Sequence, residues 1–108
     1  MSGDRLIREI HDLHDDLGQW LGSKAAQEVF TRIVEQHHPD FSMVAVDGGV
    51  VPLAQLTEGL RVARNAAPRL RIQVVEIEVL VAGTEYAAAR FRERHSGESL
   101  LEERLTKR

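Results

Sequence analysis

The sequence predicts an α+β domain in which three helices pack on one face of a curved antiparallel sheet. Helical spacing of apolar residues dominates the first third of the chain, and β-branched runs between short turns dominate the last third. The predicted order of elements is α-α-β-β-α-β-β-β, and the lack of alternating βαβ units favours antiparallel strands. The 108 residues suffice for a single domain, which we expect to span residues 1–108.

Three helices are predicted. The first covers residues 4–21, where apolar side chains recur at spacings of four and three: Leu6, Ile10, Leu13, Leu17 and Trp20. The second covers residues 23–36, with Ser23 as its N-cap and Pro39 preventing its continuation. The third covers residues 52–65, with Pro52 near its first turn, and ends before Pro68.

Five strands are predicted. Residues 41–46 and 50–51 form a short hairpin, turned by Asp47-Gly48-Gly49 because glycine adopts positive φ readily. Residues 70–82 are dense in β-branched side chains, which favours a long strand. After a turn at residues 83–85 the chain returns over 86–95, turns at 96–98 and forms a last strand over 99–107.

Charge matching selects a register for the long hairpin. A three-residue turn places Glu78 opposite Arg90, Glu76 opposite Arg92, and Ile77 opposite Phe91. A two-residue turn would instead set Glu76 against Phe91, which mixes charged and apolar side chains on one face. The first register therefore gives one charged face and one apolar face.

The apolar face of this hairpin turns polar toward one end, where Glu93 and His95 follow Phe91. Ionisable groups that converge on an apolar wall are typical of a binding pocket. The same pattern also fits a strand end at which both side chains reach solvent. The pocket requires Phe91 to face the helices. The register of residues 99–107 is open, so either Glu103 or the pair of Glu102 and Arg104 lies on the same face.

Two other polar clusters invite a functional interpretation. Asp40, in His38-Pro39-Asp40 between a helix and a strand, fits a general base at a cavity mouth or a turn carboxylate that bonds nearby amides. His11 and His14, three residues apart on the first helix, fit a solvated helix face better than a metal site, since no third ligand with helical spacing completes a zinc set. We therefore expect no metal and no cofactor.

Composition narrows the class of function. A net charge of -3 and only five aromatic side chains count against nucleic-acid binding. The lack of cysteine excludes disulfides and thiolate metal sites. The longest apolar runs have four residues, and the N-terminus carries no signal-like apolar stretch, so we expect a cytoplasmic protein without membrane contact.

The chain resembles the nuclear transport factor 2-like superfamily, and within it the small bacterial SnoaL-like proteins. The order of elements and several short segments carry the resemblance: Trp20-Leu21-Gly22, His38-Pro39-Asp40-Phe41-Ser42, the turn at Gly48-Gly49, Leu60-Arg61-Val62-Ala63-Arg64 and Pro68. The resemblance implies a cone-shaped fold, a cavity between the helices and the concave sheet, and homodimerisation through the sheet. The superfamily includes isomerases, polyketide cyclases, dehydratases and plain binding or assembly modules, so it leaves the function open.

Two features depart from the pattern of similar proteins. Those proteins continue past the segment that corresponds to residues 104–106 into a final strand rich in Trp and His. We therefore expect a sheet without that strand, with an edge that favours pairing with another copy. The isomerase-like branch carries a tyrosine on its first helix, where this chain has Trp20 and Leu21, and an indole N–H cannot serve as a phenolic acid.

The sequence thus predicts a domain that binds a small hydrophobic or carbonyl-bearing molecule. The expected pocket residues are Trp20, His38, Phe41 and Phe91, and the candidates for acid–base catalysis are Asp40, Glu93 and His95. The enzymatic form of this hypothesis is a cofactor-independent isomerase, cyclase or dehydratase. The alternative is a non-catalytic homodimerising module used in assembly.

Overall fold

The fold was obtained as a computed structural model, which describes residues 3–84 and 86–97. The elements are, in chain order, α1 (Gly3–Gly22), α2 (Gln27–Glu35), β1 (Ser42–Val44), β2 (Val50–Pro52), α3 (Leu53–Val62), β3 (Arg71–Ala82) and β4 (Ala87–Ser96). The predicted α+β class and the order of these elements are confirmed. The strand predicted over 99–107, with Glu102, Glu103 and Arg104, lies outside the described residues.

The helix bounds differ from the prediction by more than one residue at two ends. α2 begins at Gln27, and its N-cap Ala26 provides no side-chain hydrogen bond. Ser23 does not cap α2, because its hydroxyl donates back to the Gln19 carbonyl of α1 at 2.6 Å. α3 ends at Val62 rather than at residue 65. None of the helices within the described ranges is long and apolar enough to cross a membrane.

The core lies where α1 crosses α2. Its buried members are Trp20, Ala25, Val29, Phe30 and Ile33, with Leu13, Leu17, Leu21, Val34 and Leu60 packed around them. Burying a large apolar side chain contributes roughly 1.5–3 kcal/mol relative to leaving it exposed. The Trp20 indole also donates a hydrogen bond of 2.6 Å to the Leu60 carbonyl, which fixes α3 against α1.

The end of α1 is held by the segment that leads into β3. Three consecutive carbonyls accept backbone N–H groups from it: Trp20 from Asn65, Leu21 from Ala67 and Gly22 from Arg69, at 2.9, 2.9 and 2.7 Å. Asn65 and Arg69 reach these positions with φ of +56° and +67°. The otherwise unpaired carbonyls of the last helical turn are thereby satisfied.

Within the described residues the strands form two antiparallel pairs, β1 with β2 and β3 with β4. In the first pair Met43 lies opposite Val51. The predicted turn between these strands is present, since Gly48 has a φ of +88° and Asp47 Oδ1 accepts the Gly49 N–H at 2.8 Å.

The β3–β4 register agrees with the prediction only in the middle of the hairpin, and on the turn side Ala82 lies opposite Ala87 rather than Tyr86. Glu78 lies opposite Arg90, as predicted, but Val75 lies opposite Arg92, and a β-bulge separates the two stretches. The predicted ladder positions of Glu76 and Ile77 are therefore wrong, because both residues lie between these pairs and Glu76 has a φ of +54°. Glu76 nevertheless reaches Arg92, with 3.0 Å between Oε2 and Nε. A second irregularity lies between Val79 and Val81.

The bulge shifts the inward positions of β3 from even to odd residues. Ile72 and Val74 are turned inward before it, and Ile77 and Val79 after it. On β4 the regular alternation buries or half-buries the residues from Ala87 to His95 at every second position and exposes the three arginines between them. The helix-covered face of the hairpin is therefore apolar except at Glu93 and His95, and the outer face is charged.

Candidate functional site

A cavity of about 1090 Å³ lies between the helices, the β1 segment and the β3–β4 hairpin. Most of its wall is apolar: Leu13 and Leu17 of α1, Phe41 and Met43, Leu56 and Leu60 of α3, and Phe91 of β4. Its polar lining comprises His14, Gln36, His37, His38 and Glu93, with the ion-paired Glu76, Glu78, Arg90 and Arg92 where it reaches the sheet. The helices and strands thus supply an apolar chamber with a few converging polar groups.

Glu93 is the buried carboxyl of this chamber, with 6% of its surface exposed. Its Oε1 lies 3.5 Å from His14 Nε2 and 3.5 Å from His95 Nε2. β4 turns Glu93 inward two residues after Phe91, and the shifted register places it opposite the buried Val74. The sequence-predicted pair of Glu93 and His95 is therefore joined by a histidine from α1.

His14 has a fixed orientation. Its Nδ1 lies 2.7 Å from the Ile10 carbonyl, which can only accept, so Nδ1 is the N–H donor and Nε2 is left for Glu93. The ring also meets the edge of Phe91, with centroids 5.1 Å apart and an interplanar angle of 79°. The histidine is 8% exposed.

The expectation of a solvated face around His14 was wrong for this residue, although His11 is exposed as expected. α1 lies so close to β3 that a Cβ on Gly18 would come within 3.4 Å of the Ile72 amide nitrogen. His14 lies one helical turn before Gly18 and is covered by the same hairpin. In the sequence, a glycine in the middle of a helix indicates that the backbone of another element packs closely against that face, and Gly18 is such a glycine.

His95 lies beyond Glu93 and is not part of the cavity lining. Both ring nitrogens are buried and form no hydrogen bond with the part of the chain that the structure describes. Its polar contact is the 3.5 Å approach of Nε2 to Glu93, which lacks hydrogen-bond geometry. His95 can therefore act on the cavity through Glu93.

The mouth of the cavity carries two further histidines. His37 Nδ1 lies 2.7 Å from the Ile33 carbonyl, and its ring meets Phe41 edge-on with centroids 4.6 Å apart. His38 is fixed in the opposite sense, because its Nδ1 accepts the Asp40 N–H at 3.0 Å. Both neighbouring imidazoles therefore present Nε2, which is an acceptor in neutral His37 and an N–H donor in neutral His38.

A second cleft, of about 830 Å³, lies between α1 and α2 around Asp16. Arg32 donates to Asp16 Oδ1 at 2.9 Å and Gln36 donates to Oδ2 at 2.8 Å. Burial alone raises the pKa of the Asp16 carboxyl, but the two hydrogen bonds and the Arg32 charge together lower that pKa below its usual value. The hydrogen bond to Asp16 in turn raises the pKa of Arg32. These contacts join α1 to α2.

Within residues 3–84 and 86–97, no group of three or more His, Asp or Glu side chains is arranged so that it could hold a metal ion.

Comparison with known proteins places this geometry in a fold family. No protein-family model matches the chain, and no curated protein matches it. Among solved structures it is similar to an NTF-2-like protein of unknown function from Pseudomonas aeruginosa, with a TM-score of 0.81 and 29% sequence identity. The alignment covers 86% of this chain and 74% of the other. The chain has the nuclear transport factor 2-like fold.

Within this nuclear transport factor 2-like fold, four of the predicted site residues line the cavity: His38, Phe41, Phe91 and Glu93. Phe91 faces the helices through its contact with His14. Trp20 lies in the core between α1 and α2 and not in the cavity wall. The Asp40 side chain is 93% exposed, with its carboxylate 3.9 Å from His38 Nδ1. Sequence reasoning missed His14 and His37 as residues of the cavity lining.

Proposed function

We propose that this nuclear transport factor 2-like domain binds a small, mostly apolar molecule with a carbonyl or a similar polar group. The observation that carries the proposal is the cavity of about 1090 Å³, in which the apolar walls converge on the buried His14 and Glu93. Binding pockets for small molecules are commonly apolar with a few precisely placed polar groups, and their volumes are roughly 300–1,000 Å³. The ligand's rings or alkyl groups contact Phe41 and Phe91, and its polar group meets the buried pair.

The enzymatic form of the proposal is cofactor-independent acid–base chemistry, of the isomerase, cyclase or dehydratase kind found in the superfamily that the sequence resembles. Glu93 is favoured over Asp40 as its carboxyl group. Glu93 is buried in the chamber beside two imidazoles, whereas Asp40 lies in solvent. Acid–base catalysis requires a group within reach of the substrate's proton, which favours the buried carboxyl.

Thermal unfolding across a metabolite library tests the binding function. A ligand present at 100 times its Kd stabilises the folded state by about 2.7 kcal/mol, which raises Tm. We expect carbonyl-bearing aromatic or alicyclic compounds to raise the Tm of the wild type, and Phe91→Ala to abolish that rise. Tyr86→Ala, at an aromatic side chain that is 68% exposed and outside the cavity, is the matched control and should keep the full response. A flat response to every carbonyl compound would contradict the proposal.

A homodimerising module is the second candidate, favoured by the outer face of the β3–β4 hairpin. This face carries the ion pairs Glu78–Arg90 and Glu76–Arg92, which also border the cavity, and Leu80 near its end is 53% exposed. Alternating charges of both signs suit contact with a second copy, in which each Glu meets an Arg of the partner. Sedimentation equilibrium over a range of concentrations tests it: we expect a dimer that Leu80→Glu dissociates, and a monomer at all concentrations would remove this candidate.

A further inference from the structure

The bulge in β3 divides the outer face of the β3–β4 hairpin into two halves of different charge. On the half nearer the turn, both outward arginines of β4 pair with a glutamate of β3. On the other half the residues opposite the arginines are uncharged, since Gln73 lies opposite Arg94 and Ser96 lies opposite Arg71. Among the described residues, the first half is therefore neutral and the second carries two positive charges.

Arg71 and Arg94 are exposed, and neither forms a hydrogen bond or an ion pair with another residue that the structure describes. Neither side chain borders either of the two cavities. The two residues are diagonal neighbours across the strands, and the Cβ atoms of such neighbours lie roughly 7–8 Å apart or less, within reach of long side chains. Their guanidinium groups can therefore contact one partner together.

The arginine patch consists of the four outward side chains at this end of the hairpin: Arg71, Gln73, Arg94 and Ser96. An amide and a hydroxyl supplement the two guanidinium groups, and all four side chains can donate hydrogen bonds. Carboxylates accept such bonds, and arginine binds them through two parallel N–H groups. The chemistry of the patch thus favours a partner that carries carboxylates.

The shape of the surface favours a chain segment over a small anion. The patch lies on an exposed strand face outside both cavities, where water competes for every contact. An exposed ion pair strengthens binding by about fivefold at most, so a single small anion would bind weakly. Alternate residues of an extended segment share one face about 6.6 Å apart, which is close to the diagonal spacing of Arg71 and Arg94. Two carboxylates on such a segment can therefore contact both arginines at once.

We propose that the arginine patch binds an extended acidic segment of another protein, with carboxylates at alternate positions. The inference is independent of the cavity and of its proposed ligand. Nucleic acid is a poorer fit, because the chain has a net charge of -3 and its phosphate backbone would continue past the patch toward Glu76 and Glu78. A segment with two carboxylates is short enough to stay on the positive half.

Peptide titrations followed by NMR test the inference. The full chain, isotope-labelled for amide NMR, is titrated at low ionic strength with an end-blocked Thr-Glu-Thr-Glu-Thr peptide. The comparison peptide Thr-Glu-Glu-Thr-Thr has the same composition, but an extended chain directs its two carboxylates to opposite faces. We expect the first peptide to shift the amide signals of the arginine patch and the second to bind about fivefold more weakly. Sodium chloride at about 0.5 M should weaken both, because salt screens exposed charges.

Variants of the patch connect the binding to the two arginines. Arg71→Gln and Arg94→Gln should each weaken binding of the alternating peptide by about three- to fivefold, and the double variant should abolish it. Arg8→Gln is the matched control, because it removes the same charge from an exposed arginine of α1 and should bind like the wild type. Thermal unfolding of each variant verifies that it is folded.

The possible outcomes are distinct. Equal affinity for the two peptides, unchanged affinity of the double variant, or signal shifts away from the patch would overturn the proposal. Inorganic phosphate or oligothymidylate that binds the patch more tightly than the alternating peptide would assign the surface to free anions or to nucleic acid, and would overturn it as well. The response of the cavity to its own ligands is measured separately, so failure here leaves the proposed binding function standing.

Discussion

The Trp20 indole N–H donates to the Leu60 carbonyl across 2.6 Å, from the middle of the core to the last turn of α3. Trp20 is also in contact with Phe30, with ring centroids 5.2 Å apart, and Arg64 lies 5.9 Å over its ring. These contacts explain why the tryptophan packs between the helices and leaves the cavity wall to Phe41 and Phe91. The same hydrogen bond holds the α3 side of the cavity in place.

Trp20→Phe should destabilise the fold. The Leu60 carbonyl would keep the Ala63 N–H at 3.0 Å but lose the indole donor, and losing one intramolecular hydrogen bond costs roughly 0.5–1.5 kcal/mol before the lost ring volume is added. Urea unfolding followed by circular dichroism measures the change. Tyr86→Phe, at an exposed aromatic residue, is the control and should stay within about 0.5 kcal/mol of the wild type. Equal midpoints for the two variants would show that the indole hydrogen bond does not stabilise the protein.

Asp16→Asn should weaken the junction between α1 and α2. The amide keeps one acceptor but loses the charge that attracts Arg32 and one of the two accepting oxygens. Since Arg32 is half exposed, we expect a loss of about 1 kcal/mol. Thermal and urea unfolding at neutral pH measure it. Glu58→Gln, which removes the exposed i,i+3 pair with Arg61, is the control and should leave the midpoint unchanged.

The loss of folding stability at acid pH should depend in part on the Asp16 carboxyl. The pKa of Asp16 is lower in the folded state than its ordinary value of 3.8. Its contribution is therefore complete above that value and is lost as pH falls through the lower folded pKa. The stability difference between wild type and Asp16→Asn should shrink as the pH is lowered from about 5 toward 2. A difference that stays constant over this window would show that the Asp16 charge does not matter.

The β3–β4 hairpin shows what the sequence could and could not predict. Charge matching placed Glu78 opposite Arg90 correctly, because cross-strand pairing is a local effect. The bulge at Glu76 was missed because a single register was applied to the whole hairpin. The adjacent apolar residues Val74 and Val75 mark the change from even to odd inward positions. Without this shift Glu93 would not lie opposite the buried Val74.

Glu76→Gly should cost less than Glu78→Gly. Both glutamates pair with an arginine of β4, at 3.0 Å and 2.6 Å, so both variants lose a similar exposed ion pair. Glycine in a regular strand costs about 0.5–1 kcal/mol in chain entropy. At Glu76 that cost is offset because glycine adopts the observed φ of +54° without the roughly 1–2 kcal/mol penalty of a left-handed L-residue.

Chemical denaturation of these two variants, side by side, measures the difference. We expect Glu76→Gly to be the more stable by about 1 kcal/mol. The opposite order would indicate that the bulge does not strain the backbone at Glu76.

The candidate site could be predicted from β4 and not from α1. Strict alternation along β4 was enough to turn Phe91 and Glu93 toward the helices. His14 required knowledge of how closely α1 packs on β3, which depends on the absence of a side chain at Gly18 and on the held end of α1. His37 required the position of the chain after α2, where Phe41 turns back toward its ring. Contacts between elements distant in the chain leave only faint signals in local patterns.

Gly22→Ala should disturb the packing of α1 on β3. A Cβ at Gly22 would come within 2.5 Å of the Leu70 carbonyl oxygen and 2.9 Å of the Leu70 nitrogen, and neither backbone atom can yield without moving the start of β3. We expect a loss of roughly 1–3 kcal/mol, the usual range for overpacking. Gly59→Ala is the matched control, because a Cβ there meets nothing within 4 Å. In an exposed helix interior alanine is favoured over glycine by about 1 kcal/mol, so this variant should gain stability. If the close approach of Gly22 to Leu70 fixes α1 on the sheet, urea unfolding should show a loss of stability for Gly22→Ala and a gain for Gly59→Ala. A Gly22→Ala variant as stable as the wild type would mean that α1 shifts freely and that the distance from His14 to Glu93 is not set by this contact.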